Sequence, residues 1–297
     1  MKDHTPSRTA QWVAAARGMG TLLPDHIRLA DDPYGAAFSS PALSRLLERS
    51  RRSLTGLAAM PGLRTWIIYM QVRTRVLDDA VRAFVAGGGR QLVLLGAGFD
   101  CRALRMPELA DAQVFEVDHP ATQGHKRGTL ERIGARSPAH YVTWDFETRA
   151  MEDLPEALLE AGHDPTAPTL TIWEGVTMYL TDGAIDSSLR AIAAYSSPGS
   201  QLAMTYFALD RLTRPSLATR VVQAAVARLG EPWKFGWHPD ELPAYLRARG
   251  FELASDRATP DAAHELLPAD LARLVDRAAD SRIAVAVASE SIAVANR

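Results

Sequence analysis

A continuous apolar segment that ends in a glycine-rich turn constrains this sequence more than any other feature. Gln91–Leu95 has the length of a strand and lacks alternating polar residues, which is typical of a strand buried on both faces of a parallel sheet. Three glycines, Gly87 to Gly89, precede it as a hinge, and Gly96-Ala97-Gly98 follows it directly. Glycines at that point let the backbone turn sharply and approach a ligand closely. The sequence therefore predicts a small-molecule site at the carboxyl end of a first buried strand.

Strand-like and helix-like segments alternate along the chain after this first strand. Six further strands are predicted, at residues 114–117, 141–144, 169–173, 201–207, 251–254 and 291–295. Helical patterns lie between most of them. This alternation is typical of an α/β fold in which a doubly wound, mostly parallel, seven-stranded sheet of the Rossmann-like type is covered by helices on both faces.

Two regions depart from this alternation. Residues 1–85 favour helices, since apolar side chains recur at spacings of three and four, as at Trp66, Ile67 and Met70. We expect this region to form an N-terminal helical cap ahead of a core at residues 86–297. Residues 210–239 combine a helix-like segment with an aromatic-rich loop, and we expect them to be a lid inserted into the core.

Charge and cysteine content argue against several classes of protein. The 297 residues carry 35 acidic and 33 basic side chains, a formal net charge of −2, so neither nucleic acid nor anionic lipid is expected as the main partner. The single cysteine, Cys101, fits a reducing cytoplasm, and the eight histidines show no metal-ligand spacing. No apolar stretch approaches the ~18 to 20 residues that span a bilayer. We expect a cytoplasmic protein that acts on a small molecule without a metal; the oligomeric state stays open.

A carboxylate closes the second predicted strand. Asp118 lies 20 residues beyond Gly98, where an acidic side chain can accept both hydroxyls of a ribose. The alternative is that Asp118 caps the helix that opens at His119 and Pro120. The third glycine of a dinucleotide fingerprint is missing, because Cys101 stands in its place. The pattern favours an adenosyl ligand that lacks a diphosphate.

Four ordered motifs resemble the leucine carboxyl methyltransferase family of S-adenosylmethionine-dependent enzymes. They are QLVLLGAGFDCR at 91–102, FEVDHP at 115–120, WDF at 144–146 and WEGVTMYL at 173–180. The resemblance runs from about Arg17 to the predicted C-terminal strand. It implies a class I methyltransferase fold and S-adenosylmethionine as the methyl donor.

The resemblance also implies which residues bind the amino-acid end of the donor. Arg73 matches the family arginine that holds the methionine carboxylate, a role that suits a planar fork of two donors. Glu174 matches the acidic residue near the donor's amino group. Arg17 occupies the position of a basic residue near the carboxylate.

Other matches concern the adenosine end. Gly96, Ala97 and Gly98 correspond to the turn beneath the ligand, and Asp118 corresponds to the ribose carboxylate. Asp145 and Phe146 correspond to the pair beside the adenine, where Asp145 would accept from the exocyclic amine.

The methyl acceptor is less constrained. Candidates to line its pocket are Tyr179, Tyr206, Trp233, Trp237 and His238. Core packing is an equal alternative for Tyr206, whereas the proline and glycine around residues 233–238 favour an exposed loop over core. A surface or capping role is the stronger interpretation for His238, and we assign no general base.

The reaction implied by the resemblance is the in-line transfer of a methyl group to an oxygen. A carboxylate with a pKa near ~4 is already ionised at pH 7 and needs no base, so a small-molecule carboxylate is the favoured acceptor. A phenol or other hydroxyl of a secondary metabolite is the main alternative. A nucleotide-dependent oxidoreductase and a noncatalytic ligand-binding protein are weaker ones.

Overall fold

A seven-stranded sheet organises the computed structural model, which describes residues 7–39, 61–228, 230–278 and 280–289. The strands are β1 (Gln91–Leu95), β2 (Gln113–Asp118), β3 (His140–Thr143), β4 (Thr169–Trp173), β5 (Gln201–Phe207), β6 (Phe251–Ala258) and β7 (Ser281–Ala288). Their order is β3-β2-β1-β4-β5-β7-β6. Strand β7 alone runs in the direction opposite to the other six strands. The predicted mostly parallel, doubly wound sheet is confirmed.

Helices surround this sheet. They are α1 (Arg8–Gly20), α2 (Pro61–Ala86), α3 (Arg102–Arg105), α4 (Pro120–Arg132), α5 (Leu154–Glu160), α6 (Asp182–Tyr195), α7 (Asp210–Thr213), α8 (Leu217–Arg228), α9 (Leu242–Arg247), α10 (Thr259–Leu266) and α11 (Ala269–Ala272). Short 3₁₀ turns lie at Gly35–Phe38, Pro107–Leu109, Met151–Asp153, Thr177–Tyr179 and Arg273–Ala278. Throughout the described ranges, no helix combines the length and the apolar character needed to cross a membrane.

Alternate residues of the central strands face two different helical layers, as the pleat of a strand requires. Leu92 and Leu94 of β1 pack in one cluster with Leu77 and Val81 of α2. Val93 and Leu95 belong to the cluster on the other face, which includes the apolar stripe of α6. The buried run that predicted β1 is thus explained by helices on both faces of the sheet.

Two C-terminal strands differ from the prediction. The predicted strand at 291–295 lies outside the described residues, and the seventh strand of the sheet is instead β7, between β5 and β6. Its alanines alternate with the β-branched Ile283, Val285 and Val287, and pairing with β5 and β6 fixes its place in the sheet. Strand β6 continues to Ala258, beyond the predicted end at 254, across an irregularity between Leu253 and Ser255.

The described part of the N-terminal region contains helices α1 and α2, but residues 21–34 form turns and irregular backbone, so the helical expectation holds only in part. Ser7 caps α1 by accepting a hydrogen bond from Ala10 N (3.1 Å), and α2 extends over 26 residues through the predicted Trp66, Ile67 and Met70 pattern. The part of the helical prediction that covers residues 40–60 lies outside the described residues.

Candidate functional site

The candidate site lies at the edge of the sheet where β1, β2 and β4 end side by side. Strand β1 pairs in parallel with β2 on one side and with β4 on the other, so the direction of the strand order reverses here. Ligands of open α/β sheets bind in the crevice outside the carboxyl ends of the strands at such a switch point. We therefore expect the predicted binding residues to lie at this edge.

The turn after β1 requires glycine. Gly96 and Gly98 adopt φ values of 70° and 52°, which other residues rarely adopt. A Cβ atom on Gly96 would lie 2.6 Å from Cγ2 of Val176. The N–H groups of Gly96 and Ala97 donate to Val117 O at 2.9 and 3.1 Å, which holds the turn against the end of β2.

Asp118 joins the end of β2 to this turn. Its carboxylate accepts from Gly98 N and from His119 N (2.6 Å). The alternative role predicted for Asp118, capping helix α4, is filled by His119. Its Nδ1 accepts a hydrogen bond from Ala121 N (3.1 Å) at the start of α4. Burial raises the pKa of the Asp118 carboxyl, although the two N–H groups partly oppose this effect. Asp118 is thus a buried acceptor beside the glycine turn.

Glu174 follows β4 and pairs with Arg73 of α2. Arg73 Nε and Nη2 both lie 2.8 Å from Glu174 Oε1, and both side chains are less than a tenth exposed. Burial raises the pKa of the Glu174 carboxyl, but the charges of Arg73, Arg102 and Arg17 outweigh it, so the net pKa lies well below its usual range. The structure therefore brings together two of the three residues predicted for the amino-acid end of the donor, Arg73 and Glu174.

A larger group of buried charges surrounds this pair. It consists of four arginines, Arg17, Arg73, Arg102 and Arg105, and four carboxylates, Asp32, Asp78, Asp100 and Glu174. Arg102 is its centre: Nε lies 2.8 Å from Asp78 Oδ1, Nη1 lies 2.9 Å from Glu174 Oε2, and Nη1 also contacts Asp100. Opposite charges in equal number allow these groups to stay ionised away from water.

Sequence reasoning gave Arg102 and Asp100 no role, although both lie within the motif at 91–102. The signal that could have found them is the pair of charged residues in a segment expected to be buried beside a strand end. Burying charges requires partners, and Glu174 was already a candidate at the same edge.

Arg17 connects α1 to the glycine turn. Its Nε lies 2.9 Å from Asp32 Oδ2, and its Nη2 donates to Phe99 O at 2.7 Å. Ala10 of the same helix lies against Gly98, where a Cβ atom would be 3.3 Å from Ala10 Cβ. Helix α1 therefore borders the candidate site directly.

Asp145 and Phe146 follow β3, at the Asp118 side of the edge. Trp144 N donates to Asp118 O at 2.8 Å, which places the WDF motif next to the end of β2. Asp145 is half-buried, its Oδ1 accepts from Glu147 N (3.0 Å), and Phe146 is 37 % exposed. Their placement fits the adenine side of a nucleoside site.

The acceptor-pocket candidates separate into two groups. The first group lies near the turn after β4. Tyr179 is half-buried, and its hydroxyl faces Trp233 and Thr9. Lys234 N donates to Met178 O (2.7 Å), so the loop at residues 231–238 crosses this turn. His238 is exposed.

Tyr206 and Trp237, by contrast, are core residues. They are 0 % and 3 % exposed, their rings pack edge to face at 5.6 Å, and the Tyr206 hydroxyl donates to Asp256 Oδ2 (2.7 Å). The expectation that the loop keeps Trp237 out of the core was wrong: Trp237 N donates to Phe207 O (3.1 Å), and its ring fills space beside β5.

Cys101 is buried in a cluster with Phe99, and burial raises the pKa of its thiol. In the part of the chain that the structure describes, no three His, Cys, Asp or Glu side chains are grouped as metal ligands.

The chain is similar, over most of its length, to proteins that are named as methyltransferases. The model of the family described as leucine carboxyl methyltransferase matches residues 10–193. A protein of Mycobacterium sp. (strain KMS) named "Putative S-adenosyl-L-methionine-dependent methyltransferase" is 34% identical over 269 residues, 85% of this chain and 84% of its own length. A protein of the same name from Mycolicibacterium paratuberculosis is 31% identical over 297 residues, 89% of this chain and 92% of its own.

Solved structures show the same fold. A DUF574 family protein from Streptomyces avermitilis has a TM-score of 0.58 at 18% identity, and a protein from Thermobifida fusca, titled as a putative methyltransferase, has 0.57 at 21%. Each match covers 92% of this chain and 97% of the other.

Proposed function

This chain belongs to the leucine carboxyl methyltransferase family and is an S-adenosylmethionine-dependent methyltransferase, and from that premise we propose that it methylates the carboxylate of a small molecule. Membership of this family identifies S-adenosylmethionine as the methyl donor. The geometry bears on two further questions, namely which residues hold the donor and what kind of oxygen accepts the methyl group.

The residues at the carboxyl edge suit the donor chemically. Arg73 would hold the methionine carboxylate and Glu174 the ammonium group, since both are buried and oppositely charged beside the same strand end. Asp118 would accept the ribose hydroxyls, while Asp145 and Phe146 would contact the adenine. The bound donor supplies an electrophilic methyl group on a sulfonium. The protein's own contribution is to fix orientation and exclude water.

The state of the candidate general bases carries the proposal of a carboxylate acceptor. Burial raises the pKa of Tyr179 to about 12, so its phenol stays protonated and cannot act as a base. His119 caps α4 at the Asp118 side, and His238 is exposed. A carboxylate needs no base: its oxygen bonds to the methyl carbon as the carbon–sulfur bond breaks, and that electron pair stays on sulfur, leaving a neutral thioether and a methyl ester.

The ribose role of Asp118 is directly testable. Asp118→Asn is expected to weaken the binding of S-adenosylhomocysteine by about 1 to 3 kcal/mol, roughly 5- to 150-fold, because an amide matches the hydroxyl donors poorly. Calorimetric titration measures this change. Asp111→Asn, at an exposed position before β2, is the matched control and should leave the affinity unchanged. An Asp118→Asn affinity equal to that of the wild type would contradict the role.

The acceptor class can be tested from the product. The protein is incubated with methyl-labelled S-adenosylmethionine and a panel of alkyl and aryl carboxylic acids and phenols. A methyl ester releases labelled methanol in mild base, whereas a methyl ether does not. Base-labile label on at least one acid is the expected result. Label confined to base-stable products from phenols, or no transfer to any acid, would overturn the carboxylate proposal.

A further inference from the structure

Arg211 is a half-buried cation without a counter-ion among the described residues. It lies in α7, directly after β5, and the buried Nε and Nη1 atoms of its guanidinium have no hydrogen-bond partner there. Arg17, Arg73, Arg102 and Arg105 each pair with at least one carboxylate. Burial lowers the pKa of Arg211, with Tyr69 and Asp280 opposing the effect from beyond bonding distance. A protein gains nothing in stability from such an arrangement.

Aromatic rings hold this guanidinium in place. Its central carbon lies 4.4 Å from the ring centre of Phe207 and 5.0 Å from that of Trp233, whose rings meet edge to face at 4.6 Å. Stacking on rings leaves the in-plane N–H groups free to donate. The planar fork is therefore oriented while its donors remain available.

The position of Arg211 connects it to the donor site. Strand β5 pairs with β4, so Arg211 and Glu174 follow neighbouring strands at the same edge of the sheet. Tyr69 is close to both arginines: its ring centre lies 5.9 Å from the central guanidinium carbon of Arg73, and its hydroxyl raises the pKa of Arg73 and of Arg211 electrostatically. The 231–238 loop, which carries Trp233, crosses from β5 to the turn after β4.

We propose that Arg211 binds the carboxylate of the methyl acceptor and so selects anionic acceptors. This inference rests on the proposed function, because it assumes that the acceptor is a carboxylate. A guanidinium binds a carboxylate by donating two parallel N–H···O bonds. This geometry selects a negatively charged acceptor and also fixes its orientation. Phe207 and Trp233 add apolar surface next to the charge, so the acceptor class is an organic acid with an apolar body beside its carboxyl group.

Calorimetric titration tests this proposal independently of catalysis. The protein is saturated with S-adenosylhomocysteine and titrated with benzoate, phenylacetate and octanoate, and with the primary amide of each. At least one acid should bind at least tenfold more tightly than its amide. Arg211→Gln should abolish that preference while leaving S-adenosylhomocysteine affinity within twofold. Arg214→Gln, which removes an exposed arginine one turn away, should preserve the preference.

Thermal unfolding separates a loss of binding from a loss of fold. Because two buried nitrogen atoms of the Arg211 guanidinium have no hydrogen-bond partner among the described residues, the melting temperature of Arg211→Gln should equal or exceed that of the wild type. Arg211→Lys, which keeps the charge but lacks the fork, should show an intermediate preference. An acid preference that persists in Arg211→Gln, or a wild type that prefers no acid over its amide, overturns the proposal. If the acceptor is not a carboxylate, the product assay shows this separately, because the labelled product is then stable in mild base.

Discussion

Replacing Arg102 by methionine is expected to lower the free energy of unfolding by about 3 to 5 kcal/mol. Arg102 is completely buried and bonds to Asp78, Asp100 and Glu174. Without it, Asp78 keeps Arg105 and Glu174 keeps Arg73, but Asp100 loses its cation inside the protein. Leaving a buried carboxylate unpaired costs far more than the pair contributes while it is intact. Urea unfolding followed by tryptophan fluorescence measures the change.

Arg82→Met is the matched control. Arg82 also bonds to two carboxylates, Asp79 and Glu108, at 2.8 Å, but its side chain is 41% exposed. Water and salt screen such a pair, so its loss should cost less than about 1 kcal/mol. Equal costs for the two variants would show that burial of the Arg102 cluster adds nothing to the penalty of breaking it.

The central strands could be predicted from sequence because their pattern is local. Strands β1 and β4 are buried along their whole length, and a short apolar run bounded by turn residues is enough to identify each. Parallel strands bring their carboxyl ends to one edge, so the proximity of Gly98 and Asp118 followed from topology, and the structure joins them by a hydrogen bond.

The charged cluster and β7 depend on contacts that no local pattern contains. Arg102 meets Asp78 and Glu174 across 24 and 72 residues of chain, and which carboxylates it meets depends on how α2 packs on the sheet. Strand β7 alternates alanine with Ile283, Val285 and Val287, but its position between β5 and β6 is set by its pairing with both strands. Trp237 entered the core for a similar reason, through backbone bonds to the end of β5. Tertiary contacts decide the outcome in each case.

The proposed donor-binding role of Arg73 leads to the second large effect. Arg73→Gln is expected to weaken the binding of S-adenosylhomocysteine about 100-fold, or about 2.7 kcal/mol, because a charge-assisted, two-donor contact to the ligand's carboxylate is lost. Binding of 5′-methylthioadenosine, which lacks the amino-acid group, should change less than about threefold. Calorimetric titration of both ligands gives the two ratios.

A matched variant and a second ligand make this prediction specific. Arg75→Gln removes an arginine two positions along α2 that pairs with Asp79 at the surface, and it should leave both affinities unchanged. Asp118→Asn should weaken both ligands, because both contain the ribose. Arg73→Gln should therefore change the affinities for the two ligands by different factors, whereas Asp118→Asn should lower both. If Arg73→Gln weakens 5′-methylthioadenosine by the same factor as S-adenosylhomocysteine, Arg73 supports the shape of the site through Glu174 and does not bind the carboxylate.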